Sequence, residues 1–152
     1  MIRKLWLFLG ILAGYLSWPL VWIVIRRTTR TRILLNSGDK ILVTKGWLST
    51  GKWSLPGGGM HRGEKPAEAV LRELREETNI ELTETQLKYQ GAKKQTNGLP
   101  FRYHLFSASA PEELDFKKQQ FEIVDVRWLD RRELLKKSVE QHVREAVQAM
   151  ES

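Results

Sequence analysis

The hydrophobic and polar positions divide the chain into an apolar N-terminal stretch and a longer region of short amphipathic segments. Residues 5–25 read LWLFLGILAGYLSWPLVWIVI and contain no charged side chain. A helix rises about 1.5 Å per residue, so this stretch would cover roughly the 30 Å of a bilayer's hydrocarbon core. The pattern predicts one N-terminal transmembrane helix, with a membrane anchor at residues 1–27 and a separate domain at residues 28–152.

The second region alternates short β-type segments with helical ones. Runs of β-branched and aromatic residues between turn signals predict strands at residues 32–36, 40–44, 87–94, 100–109 and 123–129, with a shorter strand inside 47–55. Helical spacing of apolar positions predicts helices at residues 66–78, 130–136 and 139–150, and Pro66 suits a first helical turn. Strands in the middle with helices around them predict an α+β domain, built as a mixed β-sheet in an α/β/α sandwich.

The net charge of +7 is concentrated near the N-terminus. Residues 1–32 hold six basic side chains and no acidic one, so subtracting them leaves 19 basic against 18 acidic residues. This asymmetry favours a lipid bilayer as partner of the N-terminal segment, and we expect no DNA binding by the near-neutral domain. The absence of cysteine excludes disulfides, thiolate metal sites and a cysteine nucleophile.

Two other interpretations of the apolar stretch remain open. A cleaved secretory signal would be shorter and would end in small residues, whereas this stretch runs into RRTTRTR. A core helix that is apolar on every side is rare in a domain of this size. If the segment spans a membrane, the dense basic cluster after it places the following domain in the cytoplasm by the positive-inside bias.

The predicted helix at residues 66–78 carries an acidic cluster that helix physics alone disfavours. Its apolar stripe consists of Ala67, Val70, Leu71, Leu74 and Thr78. On another side of the wheel lie Glu73, Glu76 and Glu77. Like charges four residues apart cost roughly 0.2–0.5 kcal/mol, and carboxylates in the last turn oppose the helix dipole. A divalent cation would remove both penalties, and Mg²⁺ prefers carboxylate oxygens.

Three glycines, Gly57 to Gly59, precede this helix by a short loop. Glycine lets backbone groups approach a phosphate or a metal closely. An exposed acidic helix face is the alternative explanation of the glutamates, but the glycines beside them favour a site for a cation and a phosphate.

This segment resembles the Nudix box, whose pattern is G, five residues, E, seven residues, then R-E-U-x-E-E-x-G-U with U aliphatic. The matching positions are Gly58, Glu64, Arg72, Glu73, Leu74, Glu76, Glu77 and Ile80. Asn79 stands where the pattern has glycine, and asparagine tolerates the left-handed backbone expected after a helix.

The resemblance implies a Nudix-like fold and a Mg²⁺-dependent hydrolase, with Mn²⁺ as a substitute ion. Its substrate would be a nucleoside diphosphate linked to another moiety, such as a nucleoside triphosphate, and water would attack the pyrophosphate. The alternatives are a non-catalytic nucleotide-binding regulatory module and an RNA 5'-end pyrophosphohydrolase.

The resemblance also implies roles for individual residues. The catalytic set is Glu73, Glu76, Glu77 and Arg72, and we expect Arg72 to pair with Glu64. The implied metal ligands are Glu73, Glu76, Glu77, the Gly58 carbonyl and a later carboxylate, for which Glu122 is preferred to Glu112, Glu113 and Asp125. Glu73 is either a ligand or the general base. The candidate substrate-binding residues are Gly57, Gly58, Gly59, Lys52 and Arg62.

Overall fold

The computed structural model describes residues 29–47, 51–95, 101–117 and 122–150. Its strands are β1 (Thr29–Ser37), β2 (Lys40–Gly46), β3 (Lys88–Gln95), β4 (Phe101–Ser109) and β5 (Ile123–Asp130). Its helices are α1 (Pro66–Thr78), α2 (Arg131–Lys136) and α3 (Gln141–Gln148), with a 3₁₀ turn at Glu84–Gln86. Each predicted helix and each of the five longer predicted strands has a counterpart here. The short strand predicted within 47–55 is wrong in its described part, where Trp53 and Ser54 form isolated bridges instead.

The five strands form one mixed sheet in the order β3-β4-β1-β2-β5. β1 and β2 form a hairpin, in which Ser37 pairs with Lys40 and Gly38 adopts a left-handed φ of 54°. β1 runs parallel to β4 along its whole length, while the other pairs are antiparallel. The parallel pair joins segments far apart in sequence and places β1 in the centre of the sheet.

The sheet opens between β1 and β2, and the glycine-rich residues 56–60 fill the gap. β1 pairs with β2 only near the hairpin turn. Farther along, the Thr31 amide donates to the Gly58 carbonyl at 2.9 Å, and the Met60 amide donates to the Thr29 carbonyl at 3.1 Å. The segment at residues 56–60, called the glycine segment below, therefore has its backbone fixed against a central strand.

Both faces of the sheet are covered, as the α/β/α prediction requires. Strand side chains alternate between the faces with a period of two. On one face, Ile33 and Leu35 pack with Val70 and Leu74 of α1. On the other, Leu34 packs in a cluster with Val143 of α3.

Helix α1 buries a face slightly different from the predicted stripe. Val70, Leu74 and Thr78 are buried as expected, but Ala67 and Leu71 are only half-buried. Instead, the buried face includes Ala69 and Glu77. It includes Glu77 because that carboxylate accepts a hydrogen bond from the glycine segment. The helix ends at Thr78, and Asn79 after it has a φ of 61°, the expected left-handed conformation.

The predicted transmembrane helix lies outside the described residues. Among the residues that the structure does describe, no helix has the length and apolarity needed to cross a bilayer.

Candidate functional site

Gly57 joins helix α1 to strand β1 through its two backbone polar groups. Its amide donates to Glu77 Oε2 at 3.0 Å, and its carbonyl accepts from Arg32 Nη1. The φ of Gly57 is +132°, and a Cβ added there would lie 2.2 Å from the backbone oxygen of Thr31. Only glycine fits this position, because a side chain would be strained and would also collide with backbone.

Gly58 lies against the carboxylate of Glu73. A Cβ on Gly58 would come within 2.5 Å of Glu73 Oε2, so the absence of a side chain lets the carboxylate approach the loop. The carbonyl of Gly58, a predicted metal ligand, accepts the Thr31 amide hydrogen bond at 2.9 Å. A carbonyl oxygen has two lone pairs, so one remains for a cation.

Arg72 connects the loop to the acidic cluster. It makes the expected pair with Glu64, with Nε to Oε1 at 2.7 Å and Nη2 to Oε2 at 3.1 Å. Its Nη1 also donates to Glu73 Oε1 at 2.9 Å and to Glu76 Oε2 at 3.2 Å. Its Nη2 donates to the Gly59 carbonyl at 2.9 Å. One guanidinium thus offsets part of the repulsion within the acidic cluster and fixes the position of two of its carboxylates.

These contacts shift the protonation equilibria of the site. The hydrogen bonds from Arg72 lower the pKa of Glu64 to about 2, and the same bonds raise the pKa of Arg72. Burial raises the pKa of Glu77 to about 8, although the charge of Arg32 and the Gly57 amide both oppose that shift. Glu77 is only 7 % exposed, so its ionised form needs further positive charge nearby.

The donor set has the chemistry of a hard divalent cation. The side chains of Glu73 and Glu76 are 14 % and 37 % exposed, so neither points fully into solvent. Within the described parts of the chain, no three carboxylate or imidazole groups already converge as a complete metal cluster. Mg²⁺ is typically bound by one or two carboxylates, with water and substrate phosphates completing the shell. The residues present therefore fit Mg²⁺, and the individual ligands stay predictions.

Glu122, the preferred later carboxylate, lies near the site. It directly precedes β5, whose first residue Ile123 pairs with Gly46 at the end of β2. Its charge acts on both Glu77 and Arg30, which places it within electrostatic range of the cluster. Glu113 instead contacts Lys40, at the opposite end of β2.

Neither of the two predicted basic substrate contacts touches the site. Arg62 is exposed in the turn before α1, and Lys52 is half-buried. In the described ranges, no hydrogen bond or ion pair joins either residue to the acidic cluster or the glycine segment. Their role as phosphate contacts stays a prediction.

Arg30 and Arg32 are site residues that were not predicted from the sequence, since both belong to the basic stretch that follows the apolar run. The structure places them in β1, with Arg32 only 7 % exposed and hydrogen-bonded to Gly57. The signal that could have revealed them is their spacing. Arg30, Arg32 and Leu34 follow one another with the period of two that places residues on one face of a strand.

The sequence model described as the NUDIX domain matches residues 25–150. The chain is similar to the uncharacterized Nudix hydrolase YvcI of Bacillus subtilis, with 40% identity over 62 residues that cover 38% of this chain and 36% of that protein. It is also similar to the RNA pyrophosphohydrolase of Acinetobacter baylyi, with 37% identity over 71 residues that cover 47% of this chain and 42% of that protein. The chain thus spans less than half the length of these curated relatives.

Solved structures share the fold. A bifunctional NMN adenylyltransferase/ADP ribose pyrophosphatase from Francisella tularensis superposes with a TM-score of 0.73 at 20% identity, covering 95% of this chain and 48% of that one. The NUDIX domain of Shewanella oneidensis NrtR, in complex with ADP ribose, superposes with a TM-score of 0.70 at 17% identity, covering 80% and 84%. At such low identities these likenesses concern the fold alone.

Proposed function

Because the chain belongs to the NUDIX family over residues 25–150, we propose that it is a Mg²⁺-dependent pyrophosphohydrolase acting on a nucleoside diphosphate linked to another moiety. The observation that carries the proposal is the way the acidic cluster is held. The buried carboxylate of Glu77 accepts a hydrogen bond from the Gly57 amide. Arg72 donates to Glu73 and Glu76 and so holds both beside the glycine segment. An exposed acidic helix face would need none of these contacts.

In this proposal the chain's own residues position the substrate and a cation. Glu73, Glu76, Glu77 and the Gly58 carbonyl supply oxygen ligands, with Glu122 as the additional carboxylate. Arg72 acts as a positioning residue, since it orients the carboxylates and the loop. When bound, Mg²⁺ or Mn²⁺ neutralises phosphate charge and lowers the pKa of a coordinated water. Glu73 either binds the cation or accepts the proton of the attacking water.

The substrate class rests on chemistry shared by the named relatives. The names of the relatives and neighbours mention RNA pyrophosphohydrolase activity, ADP ribose and dihydroneopterin triphosphate. Each of these names implies a phosphate–phosphate linkage, so we propose a nucleoside triphosphate or a related nucleotide as substrate. RNA 5' ends are the second candidate. The near-neutral charge of residues 33–152 gives less support to a long nucleic-acid contact.

We propose further that residues 5–25 anchor the enzyme to a membrane with its NUDIX domain in the cytoplasm. The uncharged run and the basic residues after it support this arrangement. Fractionation of cells that produce the full chain tests it. Recovery of the intact chain from the soluble fraction at low salt would contradict the anchor.

A hydrolysis screen tests the enzymatic proposal. Nucleoside triphosphates, ADP ribose, dinucleoside polyphosphates, NADH and triphosphorylated RNA are incubated with wild type and with Glu77→Gln, with Mg²⁺ and with a chelator. We expect Mg²⁺-dependent turnover that falls by about 100-fold or more in the variant, because a buried charge that serves the metal is lost.

Glu68→Gln is the matched control for this screen. Glu68 lies on the same helix, and its carboxylate accepts the Lys65 amide hydrogen bond in a capping box that glutamine also satisfies. Equal activity of the two variants would contradict the proposal. Nucleotide binding without turnover by wild type would favour the non-catalytic module.

A further inference from the structure

Arg30 and Arg32, called the arginine pair below, lie on the sheet face opposite to helix α1. They precede Leu34 with the period of two that defines one face of β1, and Leu34 belongs to the cluster packed against α3. Arg30 is half-buried and Arg32 is 7 % exposed. A central strand rarely buries two cations so close together, because each loses its hydration.

Both guanidinium groups lie over the ring of Phe101. The Cζ atoms of Arg30 and Arg32 lie 5.3 and 5.7 Å from the centre of its ring. A guanidinium stacked on an aromatic ring keeps its in-plane N–H groups available for an anion. Phe101 is itself packed edge-on against Tyr103, with ring centres 5.9 Å apart, so the platform is part of the core.

The arginine pair carries positive charge that its surroundings compensate only in part. Burial and, to a smaller extent, the neighbouring charge of Arg30 together lower the pKa of Arg32 to about 10. Arg32 nonetheless stays protonated near neutral pH. Among the described residues, no carboxylate makes an ion pair with either arginine.

The pair also has hydrogen-bonding capacity that the described residues do not use. Nε of Arg30 and Nε of Arg32 are both buried without a partner. The described bond of the Arg32 side chain goes to the Gly57 carbonyl. Buried guanidinium groups are normally satisfied by carboxylate or phosphate oxygens, so these donors indicate an anion that the described residues do not supply.

The pair is coupled to the acidic cluster through one residue. The Gly57 carbonyl accepts from Arg32, while the Gly57 amide donates to Glu77. In addition, the charges of Glu73, Glu77 and Glu122 all act on Arg30. A diphosphate chain beside the glycine segment would thus meet carboxylates suited to a cation at one end and arginines at the other.

We propose that the arginine pair binds a phosphate group of the substrate that the cation at the acidic cluster does not hold. This inference rests on the proposed function, because it assigns the substrate's second phosphate to a second part of the same site. Its ligand class is the non-reacting phosphate of a nucleoside diphosphate derivative. The cation at the acidic cluster and the arginine pair then bind one diphosphate from opposite ends.

Calorimetric binding of ADP with a methylene group in place of its bridging oxygen tests the proposal. The proteins are the full-length wild type, Arg30→Gln, Arg30→Lys and Arg132→Gln, each measured with Mg²⁺ and with EDTA. Arg132 is an exposed arginine in the first turn of α2, just after the end of β5, and serves as the matched control. We choose Arg30 because it is less buried than Arg32, and thermal unfolding verifies that each variant is folded.

We expect Arg30→Gln to weaken binding by about tenfold to 100-fold, as loss of a charge-assisted hydrogen bond predicts, with Mg²⁺ and with EDTA alike. Arg30→Lys should bind with intermediate affinity, since it keeps the charge but loses the planar fork. Arg132→Gln should bind like wild type. The insensitivity of the Arg30 effect to the chelator separates this contact from metal binding.

The inference is overturned if Arg30→Gln binds as tightly as Arg132→Gln, or if folded wild type binds the analogue under neither condition. In the first case Mg²⁺-dependent hydrolysis would still support the proposed function. Conversely, Arg30-dependent binding without any hydrolysis would reject the enzymatic proposal and keep the phosphate contact.

Discussion

Two ionisable side chains are buried against the segment that runs through residues 54–57, one on each face of the sheet. His142 on α3 uses both ring nitrogens: Nδ1 donates to Gln95 Oε1 at 2.7 Å, and Nε2 accepts the Leu55 amide at 3.3 Å. Glu77 on α1 accepts the Gly57 amide through one oxygen and lies among other carboxylates. Both lie close to the same short segment, but only the histidine is fully satisfied by protein groups.

The difference separates a structural site from a functional one. Burial lowers the pKa of His142 well below its usual value, so the ring is neutral and its two hydrogen bonds are complete. Burial raises the pKa of Glu77 to about 8, because the charge of Arg32 and the Gly57 amide compensate its anionic form only in part. A satisfied buried group stabilises the fold, whereas an uncompensated one indicates a ligand.

The largest effect should come from Gly57→Ala, since Gly57 links the acidic cluster to the arginine pair. The new Cβ would meet the Thr31 backbone oxygen at 2.2 Å and would require a φ of +132°. We expect a loss of about 3 kcal/mol or more in unfolding free energy, together with loss of hydrolysis. Chemical denaturation and turnover assays measure the two effects.

Gly59→Ala is the control for Gly57→Ala. A Cβ there has nothing within 4 Å, and its φ is not in the left-handed range. We expect a change within about 0.5 kcal/mol. If both alanine variants were equally stable, backbone crowding at Gly57 would not explain its requirement.

His142→Ala should sharpen the contrast between structure and function. It leaves a buried cavity and removes the partners of Gln95 and the Leu55 amide, so we expect about 2–4 kcal/mol of destabilisation. Activity per folded molecule should stay near that of wild type. We expect the opposite pattern for Glu77→Gln. Its free energy of unfolding should change by about 1 kcal/mol or less, whereas its turnover should be lost.

Paired unfolding and activity measurements on these two variants provide the check. Loss of specific activity in folded His142→Ala would show that this ring also takes part in the site. The comparison between the two faces would then be wrong.

A smaller effect is expected in the pH dependence of stability without Mg²⁺. The folded pKa of His142 is depressed, so the unfolded chain binds more protons below about pH 6.5 and stability falls as the pH falls. The slope is about 1.4 kcal/mol per pH unit for one group. Glu77 contributes the opposite sign, because its folded pKa is raised and its contribution declines as pH rises between about 4.5 and 8.

Subtraction isolates the histidine contribution. The stability difference between wild type and His142→Gln, followed by denaturation from pH 7 to pH 5, cancels Glu77 to first order. We expect the wild type to lose its advantage as the pH is lowered. A difference that is constant with pH would mean that His142 titrates normally in the folded protein.

Much of the fold follows from local patterns. Helix α1 begins at Pro66 and ends at Thr78 as predicted, because the proline at its start and the left-handed Asn79 after its end are local signals. The hairpin at Gly38 is equally local. The Glu64–Arg72 pair, which the resemblance to the Nudix box implied, is confirmed, although the further bonds of Arg72 to Glu73, Glu76 and Gly59 were not predicted.

The sequence by itself thus determined the elements, the acidic cluster and its glycines, since each depends on spacing over a few residues. Only the tertiary structure decided which charges are buried and which face each other. Insertion of the glycine segment between β1 and β2 buried Glu77, and the parallel pairing of β1 with β4 placed Phe101 beside Arg30 and Arg32. Those contacts join residues far apart in the chain, and periodicity along a sequence carries no information about such pairs.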